Sequence, residues 1–241
     1  MALLAFVLAG CAAKNKLQEQ STPEALFEKA LAALHNRHFT DAQELFDRFT
    51  LQFPTHGRVQ EARYHLAEAY FGKKEYVTAA NEFSRLANDY PAGPYADDAR
   101  FKVCESYDKL SPKPQLDQQY TRAALDHCQS LITYYPSSEL APRAQELLTG
   151  LRTKLADKQY LAAEFYFKRG AYDSAVIYYE AALRDYPDTN VAPRALLRLF
   201  ETYKILNYKD EMEAARQRLL KDYPDSPEAK QLPQSAPAAA S

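Results

Sequence analysis

The chain of 241 residues contains no tryptophan, two methionines, three cysteines and only six glycines. The glycines, Gly10, Gly57, Gly72, Gly93, Gly150 and Gly170, are scattered. No glycine-rich loop can therefore cradle a phosphate. The five histidines are His35, His38, His56, His65 and His127. None has cysteine or acidic partners at metal-ligand spacing, and His35 and His38 read as turn or surface residues. Basic tracts are absent and the net charge is −2, so nothing favours nucleic acid. No spacing singles out a Ser-His-Asp or Cys-His arrangement. Catalytic, cofactor-binding and metal-binding residues are accordingly assigned to none, and the chain reads as no enzyme. What remains is an ordinary soluble composition, 46% hydrophobic and 26% charged, with 18 tyrosines and 12 phenylalanines.

The aromatic residues are ordered. An aromatic followed by proline recurs as Phe53-Pro54, Tyr90-Pro91, Tyr135-Pro136, Tyr186-Pro187 and Tyr223-Pro224, at steps of 37, 45, 51 and 37 residues. A near-fixed period marks a repeat array. Ahead of the prolines lie Phe39-x-x-Ala42 with Phe46, Tyr76-x-x-Ala79 with Phe83, and Tyr172-x-x-Ala175 with Tyr179. Steps of three and four place these residues on one helical face. Alanine lets two helices approach, and proline stops the second helix near the residue before it. Another helix precedes each, as with Ala62, Leu66, Ala69 and Tyr70. Helix, turn, helix and proline stop resemble the tetratricopeptide repeat over residues 22–225. The expected fold is an all-α solenoid of five helical hairpins. Stacked hairpins of this kind build grooves that hold other proteins.

The uneven steps predict two insertions. Ser111-Pro112-Lys113-Pro114-Gln115 marks a longer loop inside the third unit. The fourteen extra residues of the 51-residue step carry no proline or glycine run, and they amount to about four helical turns. They predict one extended helix over 142–169, with Pro142 in its first turn and Gly170 as its stop. The organisation expected is 1–10 signal segment, 11–21 lipidated linker, 22–139 repeats one to three, 140–225 repeats four and five, and 226–241 a disordered tail.

Residues 2–10 are apolar, too few to span a bilayer as a helix, and fit the hydrophobic part of a secretory signal. They end in Leu8-Ala9-Gly10-Cys11, which resembles the bacterial lipobox, although no Lys or Arg precedes it. The resemblance implies that Cys11 is lipidated and becomes the first residue. Ala12, rather than Asp, implies the outer membrane by the same resemblance. Cys104 and Cys128 both fall in the third unit, one on each helix. A bridge in an oxidising compartment and a pair of small buried thiols are both open. Counting from Pro136 puts Cys128 at the core position, whereas counting from Tyr120-x-x-Ala123 puts His127 there.

The lipobox, a linker of about ten residues, the long-helix insertion and one stretch around the fourth unit together resemble the BamD family, over about residues 8–222. That stretch reads Leu155-Ala156, Tyr160, Ala163-Glu164-Phe165-Tyr166, Arg169-Gly170-Ala171-Tyr172 and Leu183-Arg184-Asp185-Tyr186-Pro187-Asp188-Thr189. The resemblance implies an outer-membrane lipoprotein scaffold, facing the periplasm, of the machinery that inserts β-barrel proteins. Its implied partners are the periplasmic domains of the barrel-forming subunit, other assembly lipoproteins and unfolded β-barrel proteins. By resemblance the C-terminal repeats, about 142–222, dock the barrel-forming subunit, with Arg169, Tyr172 and Tyr178 as candidate contacts. Tyr178 departs from members that carry an arginine there. Arg169 reads equally as a cation capping the long helix. Repeats one and two, about 22–91, are expected to receive substrate segments near Phe53, Tyr64 and Tyr70, of which the tyrosines read equally as core. The alternative function is a periplasmic repeat lipoprotein scaffolding envelope constriction or polysaccharide export.

Overall fold

The computed structural model describes residues 22–233. Cys11, the signal segment and the linker therefore lie outside the described residues, as do 234–241. Ten α-helices form five antiparallel hairpins: α1 (Pro23–His35) with α2 (Phe39–Gln52), α3 (Val59–Gly72) with α4 (Tyr76–Asp89), α5 (Ala96–Leu110) with α6 (Gln119–Tyr134), α7 (Ala141–Lys168) with α8 (Tyr172–Asp185), and α9 (Val191–Leu206) with α10 (Lys209–Asp222). Each helix packs mainly on its sequence neighbours. Beyond those, contacts are sparse, and the larger of them join first helices of successive hairpins: α1 with α3, α5 with α7, and α7 with α9. The first helices thus lie on the inside of the curve. This is an all-α tetratricopeptide-type solenoid.

Every hairpin ends by the same backbone device. The aromatic residue leaves the helix with φ near −130° while its N–H still reaches the carbonyl four residues back, as in Phe53 to Phe49 and Tyr186 to Ala182. Its own carbonyl then accepts the N–H three residues on, in His56, Gly93, Ser138, Thr189 and Ser226. Proline between them supplies the fixed φ and removes a donor that would prolong the helix. The tail hydroxyls add a link across units, since Tyr135 donates to the Pro91 carbonyl at 2.9 Å and Tyr223 to the Pro187 carbonyl at 2.6 Å.

Four hairpins also turn by one device. Arg37, Lys74, Gly170 and Asn207 all have φ between 61° and 74°. The next residue's N–H closes on the carbonyl five back, as in His38 to Ala33 and Ala171 to Tyr166. This is a Schellman turn, which demands a left-handed residue. The third hairpin instead carries the insertion. Gln118 is fully buried there and its amide donates to the carbonyls of Lys113 at 2.8 Å and Leu116 at 3.1 Å.

The core repeats at fixed distances before the first four prolines. Ala42, Phe46 and Phe49 are matched by Ala79, Phe83 and Leu86, by Ala124, Cys128 and Leu131, and by Ala175, Tyr179 and Ala182, all buried. The count from Pro136 is therefore the right one. Tyr120 and His127 lie outside that core and stack on either side of Tyr107. Cys104 and Cys128 are joined in a disulfide, with Cα atoms 5.1 Å apart. The extended helix runs Ala141–Lys168 with Pro142 in its first turn, and Gly170 lies just past its end, as expected from the sequence.

Order continues past the point where the tail is expected to begin. Ala229–Gln231 form a 3-10 turn, and Ala229 and Leu232 are buried against the fifth hairpin. The reason is geometric. Ala229 stands five residues after its proline, where Ala96, Ala141 and Ala192 open the inner helices of their own hairpins. The segment 226–233 covers the last hairpin at the place where the inner helix of each earlier hairpin begins.

Candidate functional site: the inner groove and the α7–α8 face

Toward the N-terminus, α1, α3 and α5 enclose a recess of about 380 Å³ on the inner face, lined by Leu34, His35, Phe39, His65, Phe71 and Lys102, among others. The Phe39 ring lies against Gly72, where any Cβ would run into it. The Lys102 ammonium sits 5.0 Å from the centre of the Phe71 ring and 2.7 Å from Glu105. His65 pairs with Glu68 at 2.7 Å. A second recess, about 450 Å³, opens between α5 and α7 over Phe101, Leu147 and Leu151, with Arg143 4.7 Å over the Phe101 ring. Aromatic floors with a cation above them suit an extended segment that brings apolar side chains and a few charges.

The three residues named for this end do not converge there. Phe53 caps α2 and leans on Phe49, ring centres 5.5 Å apart. Tyr64 is packed between Phe83 at 5.4 Å and Tyr95 at 5.3 Å, in the seam between the second and third hairpins. Burial, then the charges of Glu68 and Asp98, push its hydroxyl well above the ordinary tyrosine range. Tyr70 accepts a hydrogen bond from the Gln43 amide at 3.2 Å and packs between the first two hairpins. Of the recess-lining residues, Phe39 was legible in the sequence only as a repeat position and Phe71 and Lys102 not at all; the stacking of the hairpins brings them together.

At the other end the three named residues lie on one hairpin. Arg169 caps α7, is exposed, and holds its guanidinium 4.4 Å over the Phe165 ring. Phe165 meets Tyr166 edge to face at 5.4 Å, and Tyr166 stacks on Tyr178 at 5.3 Å with the rings 10° apart. Arg169, Phe165, Tyr166 and Tyr178 thus form a ladder across α7 and α8. Phe165 is 51% exposed and the neighbouring Ile177 64%. Tyr172 stands apart from this ladder, edge-on to Phe167 at 5.4 Å.

Beneath this face lies a polar lock absent from the expectations. The Arg198 guanidinium of α9 grips Glu164 of α7 with two hydrogen bonds of 2.6 and 2.8 Å, and also reaches Glu201 at 2.8 Å. The fully buried Tyr179 of α8 donates to the same Glu164 carboxylate at 2.5 Å. Burial opposes the charge on Glu164, but Arg198 and Tyr179 outweigh it and hold its pKa below the ordinary value. Tyr179 is driven well above its own by burial and by the carboxylate. The arginine and phenylalanine also stack, 4.3 Å apart, at Phe167. The signal available was Glu164 inside an otherwise apolar stripe beside Ala163; its partner on α9 was not visible. Among the described residues no group of three His, Cys, Asp or Glu could hold a metal ion, and no helix is long and apolar enough to cross a membrane.

The family model YfiO, described as outer membrane lipoprotein, matches residues 19–219. An outer membrane protein assembly factor BamD of Rickettsia prowazekii is 25% identical over 225 residues, covering 93% of this chain and 90% of that protein. The protein of that name in Vibrio cholerae is 31% identical over 101 residues, 42% of each chain. Among solved structures, the TPR2AB-domain:pHSP90 complex of yeast Sti1 is similar at TM-score 0.45 and 15% identity, covering 86% of this chain and 80% of that one. The P58(IPK) TPR domain is similar at TM-score 0.45 and 17% identity, covering 86% and 53%.

Proposed function

Because the chain belongs to the YfiO family of outer membrane lipoproteins, we propose that it is a non-enzymatic scaffold for inserting β-barrel proteins into the outer membrane. Its C-terminal hairpins dock the periplasmic domains of the barrel-forming subunit. Its N-terminal inner face receives extended segments of unfolded barrel proteins, and other assembly lipoproteins join the same complex. A lipid on Cys11 holds it at the periplasmic face of the outer membrane.

The observation that carries the docking role is the ladder of exposed Arg169 and Phe165 on half-buried Tyr166 and Tyr178. Arginine and tyrosine dominate the centres of protein interfaces, where a rigid ring and a planar cation lose little freedom on binding. The ladder is already ordered by its own stacking, so docking need not organise it. Glu164, Tyr179 and Arg198 fix α7, α8 and α9 behind it. For the substrate role the support is the pair of recesses on the inner face, each with an aromatic floor and a cation.

Arg169→Glu separates docking from capping. A residue that only caps the helix dipole costs about 1 kcal/mol when its charge is reversed, and the variant would still co-purify with the barrel-forming subunit. The expected result is a folded variant, with unchanged helicity, that no longer captures the periplasmic domains of that subunit. Full capture by the folded variant would remove the docking role from this face.

A further inference from the structure

The third hairpin is filled differently from its neighbours. Eight residues before the closing proline, the first, second and fourth hairpins bury Phe46, Phe83 and Tyr179, whereas the third buries Cys128. Its cluster is correspondingly small: Cys104, Ala124, Cys128, Leu148 and Leu151. A buried aromatic ring removes roughly 150–250 Å² from water, more than the smaller thiol can. This same hairpin lacks the Schellman turn and carries the long loop instead. The bonded cysteines, 24 residues apart in sequence, bracket that loop. The loop in turn holds the long helix. The Lys154 ammonium donates to the Ser111 hydroxyl at 2.7 Å, and that of Lys158 to the Leu116 carbonyl at 2.7 Å. The bond therefore sits at the base of the segment that joins the first two hairpins to the last two.

We propose that Cys104 and Cys128 are an oxidative maturation site. The chain is a substrate of a protein thiol oxidant in the cell envelope, and only the oxidised chain has a third hairpin tight enough to couple its two halves. One cysteine thiolate attacks a sulfur of the oxidant's disulfide, forming a mixed disulfide and releasing an oxidant thiolate. The second cysteine thiolate then attacks the first cysteine's sulfur, closing the Cys104–Cys128 bond. The two cysteines lose two electrons and two protons in all, and the oxidant leaves as a dithiol. Both cysteines are 0% exposed in the folded chain, so closure precedes the final packing of α5 on α6 and the finished bond is shielded from reductants. Compartments that sustain such bonds are oxidising ones, in keeping with an envelope protein. The third thiol of the chain, Cys11, is removed from competition once it carries a lipid. None of this depends on which partner the α7–α8 face binds.

The test uses the full chain, produced in the envelope of hosts with and without their thiol oxidant, then denatured, alkylated and weighed intact. Cys104 and Cys128 should escape alkylation in the first host and be alkylated in the second. Hydrogen exchange of the reduced chain, and of Cys104→Ala/Cys128→Ala, should quicken by a factor of about 300 in α5, α6 and the 111–118 loop, the entropy of an open loop of this length. Exchange in α1, α2, α9 and α10 should not change. Two free thiols in protein from the competent host, or unchanged exchange in both the reduced chain and the double variant, would overturn it.

Discussion

Gly150 shows how a single residue departs from the needs of its helix. It lies in the interior of α7, where glycine costs about 1 kcal/mol relative to alanine, and a Cβ there would meet nothing within 4 Å. Gly150→Ala should therefore raise stability by about 1 kcal/mol in a denaturant titration, with no change in the slope. Glu164 departs in the opposite sense, since it is a charge held under a protein face. Its folded pKa is depressed, so its pairing with Arg198 and Tyr179 contributes fully above the ordinary carboxylate value and is lost as pH falls through the lower folded value. Melting followed from about pH 6 to about pH 3 should show the last two hairpins weakening on the acid side. Glu164→Gln should flatten that dependence and lower stability by about 2 kcal/mol at neutral pH, because it leaves Arg198 only the half-exposed Glu201 as a carboxylate partner.

Among the elements, α7 carries the most consequence. Its extra turns keep the same apolar stripe, Leu148, Leu151 and Leu155, facing its neighbours, so its insertion lengthens the solenoid without turning its face away. Leu151→Pro should break it, with a loss of about 3 kcal/mol or more and a fall in helicity by circular dichroism. Unchanged helicity would mean that α7 is not one helix. The turns tell a complementary story. Four share one left-handed residue, yet only Gly170 is a glycine. Arg37, Lys74 and Asn207 adopt the same φ at a cost of roughly 1–2 kcal/mol for a residue with a Cβ, less for asparagine, which the two flanking helices offset.

At the scale of the whole molecule, contacts run along the solenoid and rarely beyond the next hairpin. Stability then behaves as a sum of hairpins and their interfaces. Phe46→Ala, which empties the first hairpin at a cost of about 3–5 kcal/mol, should raise hydrogen exchange in α1 to α3 and leave α9 and α10 protected. Uniform loss of protection would mean that the array unfolds as one unit. In the proposed function this separation lets the α7–α8 face dock a partner while the recess at α1, α3 and α5 stays open, since the two share no lining residue.

Much of this architecture follows from local chemistry. Five Aro-Pro stops, alanines at steps of three and four, and fourteen added residues without a breaker determine five hairpins and one long helix, because proline, glycine and periodicity act on the backbone within a few residues. The left-handed turns at Arg37 and Lys74 are not legible, since those residues do not announce φ above zero and only the packing of two helices forces it. Nor is the order of 226–233, which has the composition of a tail and is buried only because a hairpin surface lies beside it. The pairing of Glu164 with Arg198, the closure of Cys104 on Cys128 and the meeting of Phe39, Phe71 and Lys102 all join residues more than 20 apart in sequence. Distances of that kind are set by how hairpins stack and curve, which no local rule encodes, and so the site was decided by the tertiary structure while the fold was written in the repeat.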